Sequence, residues 1–316
     1  TKYRPRKTTR EKILKYNLEE EMDYKEFIER KKLKLNDYGF IVDENQVNKK
    51  LFAFQNYLVR IALKKGKFAI FSGCGTGKTF MQIEWAHQIY KRNNSSVLVV
   101  CPLAVSGQTI QEGLKLGVII QKVDNDNYLN PGIYITNYEQ LDNIDCSVFE
   151  AVVLDESSIL KNFTGAIRNK LIERFKSAKY KLACTATPSP NDPMELGNHT
   201  EFLDIMSRTE MLSLYFIHDG GDTSKWRLKG HAVGEFYKFI STWAVMFENP
   251  KDLGFKCGGY VLPELNYKEI QIKTENKGLS LFNDTAISAI EFNNELRLTK
   301  PQRMDAVLDI VNNSDE

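Results

Sequence analysis

The chain has 316 residues, 42% of them hydrophobic and 27% charged, with a net charge of +2. That is an ordinary globular composition, long enough for one large or two smaller domains, and its charge balance announces no polyanion partner, so any nucleic-acid surface has to come from local clustering. Five scattered cysteines without a Cys-x-x-Cys pair argue for a reducing cytoplasm and against zinc, four scattered histidines argue against His-based catalysis, and no apolar run reaches membrane-spanning length.

The first fifty residues are polar and charged. Lys2, Arg4, Arg6, Lys7 and Arg10 form a basic arm, Thr8-x-x-Glu11 has the spacing of a helix cap, and Tyr24–Lys34 reads as a charged helix. A solvated helical extension fits this stretch better than a nucleic-acid contact. From Asn48 to Lys65, Leu51, Phe54, Leu58, Ile61 and Ala62 recur at helical spacing and predict an amphipathic helix carrying Gln55.

Phe68–Phe71 then reads as a buried strand. It empties into a turn at Gly73, Gly75 and Gly77, after which Lys78-Thr79 open a second helix through Phe80, Ile83, Ala86 and Tyr90. Strand, glycine turn, Lys-Thr and helix form the context of a phosphate-binding loop. Glycines let successive N–H groups curl around a phosphate without Cβ clashes, and the helix adds its positive dipole end. Gly73, Gly75, Thr76 and Gly77 would cradle the phosphates of ATP. Lys78 would reach the β- and γ-phosphates, and the Thr79 hydroxyl would ligate Mg²⁺. The loop departs from the motif at Ser72, where its first glycine is expected.

Short apolar runs follow at Val97–Cys101, Ile133–Thr136, Ala151–Asp155 and Leu182–Thr185, separated by helical stretches that include Val105–Leu116 and Gly165–Phe175. Near-continuous apolar strands alternating with helices predict an α/β fold, a parallel sheet with helices on both faces and active residues at the strands' C-terminal ends. One strand ends in Asp155-Glu156. Asp155 would hold Mg²⁺, and Glu156 would orient and deprotonate the attacking water. Another strand leaves through Thr185-Ala186-Thr187-Pro188, a stiff polar loop, into a helix start at Asp192-Pro193-Met194-Glu195.

In order and spacing, these motifs resemble the first RecA-like lobe of a P-loop superfamily-two helicase, closest to the Swi/Snf-type DNA translocases and their phage and mobile-element relatives. Phe54-Gln55 matches the adenine-reading motif and Gly75–Thr79 matches motif I. Cys101–Val105 with Gln108 resembles motif Ia, and Ile135–Tyr138 the next strand-end motif. Asp155–Ser158 with Lys161-Asn162 resembles motif II, the DEAD/DEAH box, and Thr185–Pro188 resembles motif III. The likeness runs from about Tyr38 to Asp204. It implies that Gln55 bonds adenine, that Pro102, Leu103, Asn137, Tyr138 and Lys161 lie along a DNA backbone, and that Thr185 and Thr187 couple hydrolysis to lobe movement. Many members carry Ala-His or Ala-Asp where this chain has Ser157-Ser158. Coupling through that histidine is then unavailable, and Ser158 is open as a replacement contact or as filler.

Beyond Asp204, Leu212–His218, a Trp226–His231 segment and a helix-like run Val233–Phe247 resemble the mainly helical insertion of Snf-type proteins. Arg227 and Lys229 suit a nucleic-acid backbone, and Trp226 suits either a base or, better, packing on Phe236, Phe239 and Trp243. Val261–Lys273 reads as extended and Asn294–Val311 as a helix. The expected organisation is an N-terminal helical extension (1–45), the ATP-binding lobe (46–210), the insertion (211–265) and a linker (266–316) toward a second RecA-like lobe beyond Glu316, the chain being read as a fragment. The function expected is an ATP- and Mg²⁺-dependent motor on duplex DNA, within a phage or restriction-like assembly in the cytoplasm and without a membrane. Alternatives are an RNA or strand-separating helicase and a nucleotide-dependent clamp that does not translocate.

Overall fold

The computed structural model describes residues 37–125, 130–161, 165–219, 222–256, 259–260, 267, 269–271 and 289–313. The basic arm and the Tyr24–Lys34 helix, and most of the Val261–Lys273 segment, lie outside these residues. Contacts divide the chain into a first unit, Thr1–Val261, and a second, Leu262–Glu316.

The first unit opens with a turn of 3₁₀ helix at Glu44–Gln46 and helix α1 (Ala53–Lys65). Phe54, Leu58, Val59, Ala62 and Leu63 form its buried face, as the spacing predicts. Gly66 ends the helix at φ 75°, and the N–H groups of Tyr38, Gly39 and Phe40 bond the carbonyls of Lys65, Lys64 and Leu63. The chain before α1 therefore caps its C-terminus. Strand β1 (Lys67–Ser72) leads into helix α2 (Lys78–Asn93), which packs against α1 and helix α3 (Ser106–Leu116).

β1 lies in a seven-stranded sheet among the described residues. Its other strands are β2 (Val97–Cys101), β3 (Ile120–Lys122), β4 (Ile133–Asn137), β5 (Ala151–Asp155), β6 (Tyr180–Thr185) and β9 (Ala244–Phe247), in the order β3-β4-β2-β5-β6-β1-β9. Every pair of neighbouring strands in this sheet is parallel. Side chains alternate between two cores, as a pleated sheet demands. Phe68, Ile70, Val97, Val99, Val153 and Leu182 meet α1 and α2 on one face. Ala69, Phe71, Leu98, Val100, Val152 and Ala183 meet α4 (Ala166–Arg174), α5 (Leu196–Phe202), α6 (Arg208–Tyr215) and α7 (Val233–Trp243) on the other. The sheet has the parallel, doubly covered architecture expected of a RecA-like lobe.

Two stretches differ from the sequence reading. The run Val233–Phe247 is not one helix: α7 stops at Trp243, and residues 244–247 pair with β1 as the edge strand. Unbroken apolar character reads as helix from sequence, but β1's second edge offers Ala244–Phe247 a full ladder of backbone partners. The sheet thus extends into the stretch assigned to the insertion. That stretch also holds an antiparallel hairpin, β7 (Phe216–Asp219) with β8 (Asp222–Leu228), where mainly helix was expected. In the second unit, helices α8 (Ala289–Leu298) and α9 (Lys300–Asn312) pack on each other, broken at Thr299 just before Pro301.

At the sheet's N-terminal rim, the fully buried Lys181 places its ammonium 2.7 Å from Asp204 Oδ2 and donates to the Phe202 carbonyl at 3.0 Å. Lys67, its neighbour in register, reaches the same carboxylate at 2.9 Å. This latch ties β1 and β6 to the turn after α5. Asp204→Ala is expected to destabilise the chain by roughly 3–5 kcal/mol by leaving a buried ammonium unpaired, whereas Lys181→Met should cost less than about 2 kcal/mol. Urea unfolding checks the asymmetry, and equal losses would show that shape rather than charge governs this corner.

Candidate functional site

Because the strands are parallel, the C-terminal ends of β1, β2, β4, β5 and β6 open at one rim, and the motif residues gather there. Between β1 and α2 the chain turns through Gly75 and Gly77, at φ 78° and 77°, left-handed values that cost most side chains dearly. A Cβ on Gly77 would also run into the Gln55 amide, while one on Gly75 would meet nothing, so the loop is open on its outer side. Lys78 donates to the Ser72 and Gly73 carbonyls at 2.9 and 3.0 Å, which holds a positive charge in the loop at the start of α2. Thr79 follows, half-buried. Ser72, the departure from the glycine motif, places its hydroxyl 2.8 Å from that of Thr76, which bonds the Gly73 carbonyl at 3.0 Å. The serine braces the loop from inside.

Two further supports were not legible in the sequence. Gln55 is 1% exposed, accepts from the Phe52 N–H at 2.9 Å and donates to the Thr76 carbonyl at 3.0 Å. Its amide ties α1 to the phosphate loop. On the other side, the Gly73 N–H bonds the Phe247 carbonyl at 3.0 Å, and a Cβ on Gly73 would strike the Glu248 carbonyl. The edge strand β9 therefore holds the loop as well. Beside it, the exposed ring of Phe52 stacks on Phe54, and Tyr260 meets both edge-on at 5.9 and 5.5 Å. An aromatic ledge of this kind suits the flat face of a base.

At the end of β5, Asp155 is buried and accepts from Gln82 Nε2 at 2.7 Å. Burial raises its pKa above the usual carboxylate value, with Gln82 and Lys78 acting the other way and Glu156 adding to the rise. Glu156 sits at φ 54°, a strained value for a side chain of its size. Its carboxylate accepts from the Thr185 hydroxyl at 3.2 Å, and Thr185 in turn accepts from the Thr187 N–H at 3.1 Å. The Asp155-Glu156 and Thr185-Ala186-Thr187 stretches are thus joined directly. Ser158 is half-buried in the 3₁₀ turn Ser157–Lys161. A histidine does reach this turn, from elsewhere: His199 Nε2 on α5 lies 3.1 Å from the Ser157 hydroxyl. No local pattern marks it, because forty-two residues separate the pair.

A loop rich in backbone N–H groups, an ammonium and a buried carboxylate at one rim fit a magnesium nucleotide. Lys78, Thr79 and Asp155 are the residues that would hold it.

The residues expected along a DNA backbone divide. Leu103 is 63% exposed, Lys161 and Arg227 are exposed, and Pro102 is half-buried, so these reach solvent. Tyr138 does not. It is 7% exposed and its hydroxyl donates to the Asp155 carbonyl at 2.6 Å, so it braces the end of β5 from the core. Asn137 is buried too, its side chain accepting from the N–H groups of Glu139 and Gln140 as a helix cap. Lys229 donates to the Ser213 and Leu214 carbonyls, both at 3.0 Å, near the C-terminus of α6, where a cation offsets the helix dipole. Trp226 is half-buried against the core with α7, which is the packing alternative.

Residues 46–190 match the family model described as "Type III restriction enzyme, res subunit". The chain is 29% identical over 172 residues to the SWI/SNF-related matrix-associated actin-dependent regulator of chromatin subfamily A-like protein 1 of Xenopus tropicalis, covering 49% of this chain and 18% of that protein. It is 26% identical over 177 residues to the DNA annealing helicase and endonuclease ZRANB3 of Mus musculus, covering 50% and 16%. The match thus spans less than a fifth of either relative. The solved SWI2/SNF2 ATPase core of Sulfolobus solfataricus with double-stranded DNA superposes at a TM-score of 0.54 and 20% identity, covering 68% of this chain and 48% of that one.

Tyr138→Phe is expected to cost about 1 kcal/mol of stability, the loss of one buried hydrogen bond. DNA affinity, measured by fluorescence anisotropy, should not change. A selective loss of DNA affinity would return Tyr138 to the nucleic-acid surface.

Proposed function

From the superfamily-two helicase lobe of the Swi/Snf type that this chain carries, we propose an ATP-driven motor that moves along or remodels duplex DNA. The observation that supports it best is the convergence of Lys78, Asp155, Glu156 and Thr185 at one rim of a parallel sheet. ATP with Mg²⁺ supplies the phosphoanhydride bond to be broken and the cation that neutralises charge developing on the phosphates. Lys78 exchanges the Ser72 and Gly73 carbonyls for the β- and γ-phosphate oxygens. Asp155 and Thr79 hold the cation. Glu156 takes the proton of the attacking water on its carboxylate, which Thr185 orients. The ring of Phe52 offers the purine a stacking face.

Duplex DNA is favoured as substrate because the mouse relative is named for DNA annealing and the Sulfolobus core was solved with double-stranded DNA. Lys161 and Arg227, both exposed, and the exposed turn at Leu103 after β2, through its backbone, are the proposed contacts to the DNA strand. A second RecA-like lobe is the proposed partner that closes over the nucleotide, in a cytoplasmic setting. No described helix is long and apolar enough to cross a membrane.

Lys78→Ala should abolish binding of a fluorescent ATP analogue. Glu156→Gln should retain that binding and lower the ATPase rate of the intact protein by about 10²–10⁴-fold. Unchanged turnover in Glu156→Gln would remove the base assignment.

Blunt duplex DNA, and not RNA, should stimulate the ATPase of the intact protein, and DNA affinity should fall steeply as salt rises because phosphate contacts release counterions. Stimulation by RNA alone, or a flat salt dependence, would overturn the choice of substrate.

A further inference from the structure

The short helix α5 is placed where it grips the turn that follows Glu156. Asn198 Nδ2 donates to the Lys161 carbonyl at 3.1 Å, at the far end of the turn, and His199 Nε2 meets the Ser157 hydroxyl at its near end. Both side chains are essentially fully buried, His199 at 0% exposure. The other side of the imidazole meets Phe71 edge-on, with ring centroids 5.0 Å apart. Phe71 is the penultimate residue of β1, one step before the phosphate loop. His199 is therefore wedged between β1, which leads into the phosphate loop, and the turn that follows Glu156. Burial lowers its pKa to about 4, so the ring is neutral near pH 7 and acts as a hydrogen-bonding wedge rather than a charge.

The need for such a wedge follows from Glu156 itself. A glutamate at φ 54° does not stay there without neighbours that over-determine it. The backbone before it is fixed by Tyr138 on the Asp155 carbonyl, and its carboxylate by Thr185. The Glu156 carbonyl accepts from the Ile159 N–H at 3.2 Å inside the 3₁₀ turn that follows, and His199 and Asn198 hold that turn at its two ends. The adjacent pair Asn198 and His199 thus spans the turn from its first residue, Ser157, to its last, Lys161.

We propose that His199, through Ser157, is a positioning residue for Glu156 in ATP hydrolysis, setting the angle of the carboxylate without touching nucleotide. The inference rests on the ATPase reading above. It assigns His199 a part in turnover and none in nucleotide affinity, because Lys78 and the phosphate loop are held independently by Gln55 and β9.

The test uses ATPase kinetics of the intact protein, with nucleotide affinity and thermal unfolding measured on the same variants. His199→Phe keeps the ring against Phe71 and removes the hydrogen bond. It should lower kcat on the order of 10- to 100-fold, the cost of a misplaced catalytic group, with KM for ATP within about twofold. His199→Gln, which can still bond Ser157, should recover part of the loss. Ser157→Ala should reproduce the His199→Phe defect, and the double variant should be no worse than either, as for two residues serving one contact. Should His199→Phe not fold, Ser157→Ala carries the test alone. Wild-type kcat in Ser157→Ala, a rise in KM matching the fall in kcat, or a defect that follows thermal stability and is equal in Phe and Gln would each overturn the proposal. A wild-type protein that hydrolyses no ATP overturns the ATPase reading and this inference with it, whereas active wild type with an equally active Ser157→Ala overturns the inference alone.

Discussion

A positive charge at the start of α2 and a buried carboxylate at the end of β5 face the same rim, with only β6 between their strands. Neighbouring strands lie about 5 Å apart, so two spacings separate the ends of β1 and β5 by roughly 10 Å, a gap that the loop carrying Lys78 and a shared ligand can span. Burial raises the pKa of Asp155. Lys78 and the Gln82 amide work against that, and a cation held there would do so more strongly. The sheet's parallel sense makes this meeting possible, since an antiparallel β5 would carry its carboxylate to the opposite rim.

The remainder of the lobe immobilises the two sides of that meeting. The phosphate loop is gripped by the Gln55 amide from α1, by the Phe247 carbonyl from β9 and internally by the Ser72–Thr76 hydroxyl pair. The turn at Glu156 is gripped by Tyr138, Thr185 and the α5 pair Asn198 and His199. Such supports take the flexibility out of a glycine loop and out of a strained glutamate, the condition under which positioned charges act without reorganisation. At the other rim, Lys67 and Lys181 share Asp204 and fasten β1 and β6, so the strands flanking the site are anchored at both ends.

Several side chains with an obvious chemical reading are bonded to this chain's own backbone. Gln55, Tyr138, Asn137 and Lys229 each carry a group suited to a ligand, and each gives it to backbone of this chain. A strand end in a parallel sheet leaves many backbone polar groups to satisfy, and nearby polar side chains are recruited for that work before any ligand arrives. Sequence spacing put Asn137 and Tyr138 at the strand-end rim. It gave no sign of whether they point outward or back into the protein.

The sequence alone determined what depends on near neighbours: the apolar strands, the glycine turn with Lys78, the paired carboxylates at 155 and 156, the amphipathic helix at Ala53–Lys65 and, from these, a parallel α/β lobe. Such features are written in residue type and period, over a few positions at a time. Tertiary structure decided what depends on partners far along the chain. Residues 244–247 became the edge strand beside the phosphate loop because β1 had a free edge, and His199 reached Ser157 because α5 folds back beneath the turn. An apolar run does not state which strand it will pair with, and a histidine does not state which hydroxyl it will meet; those choices belong to the packing of the whole lobe.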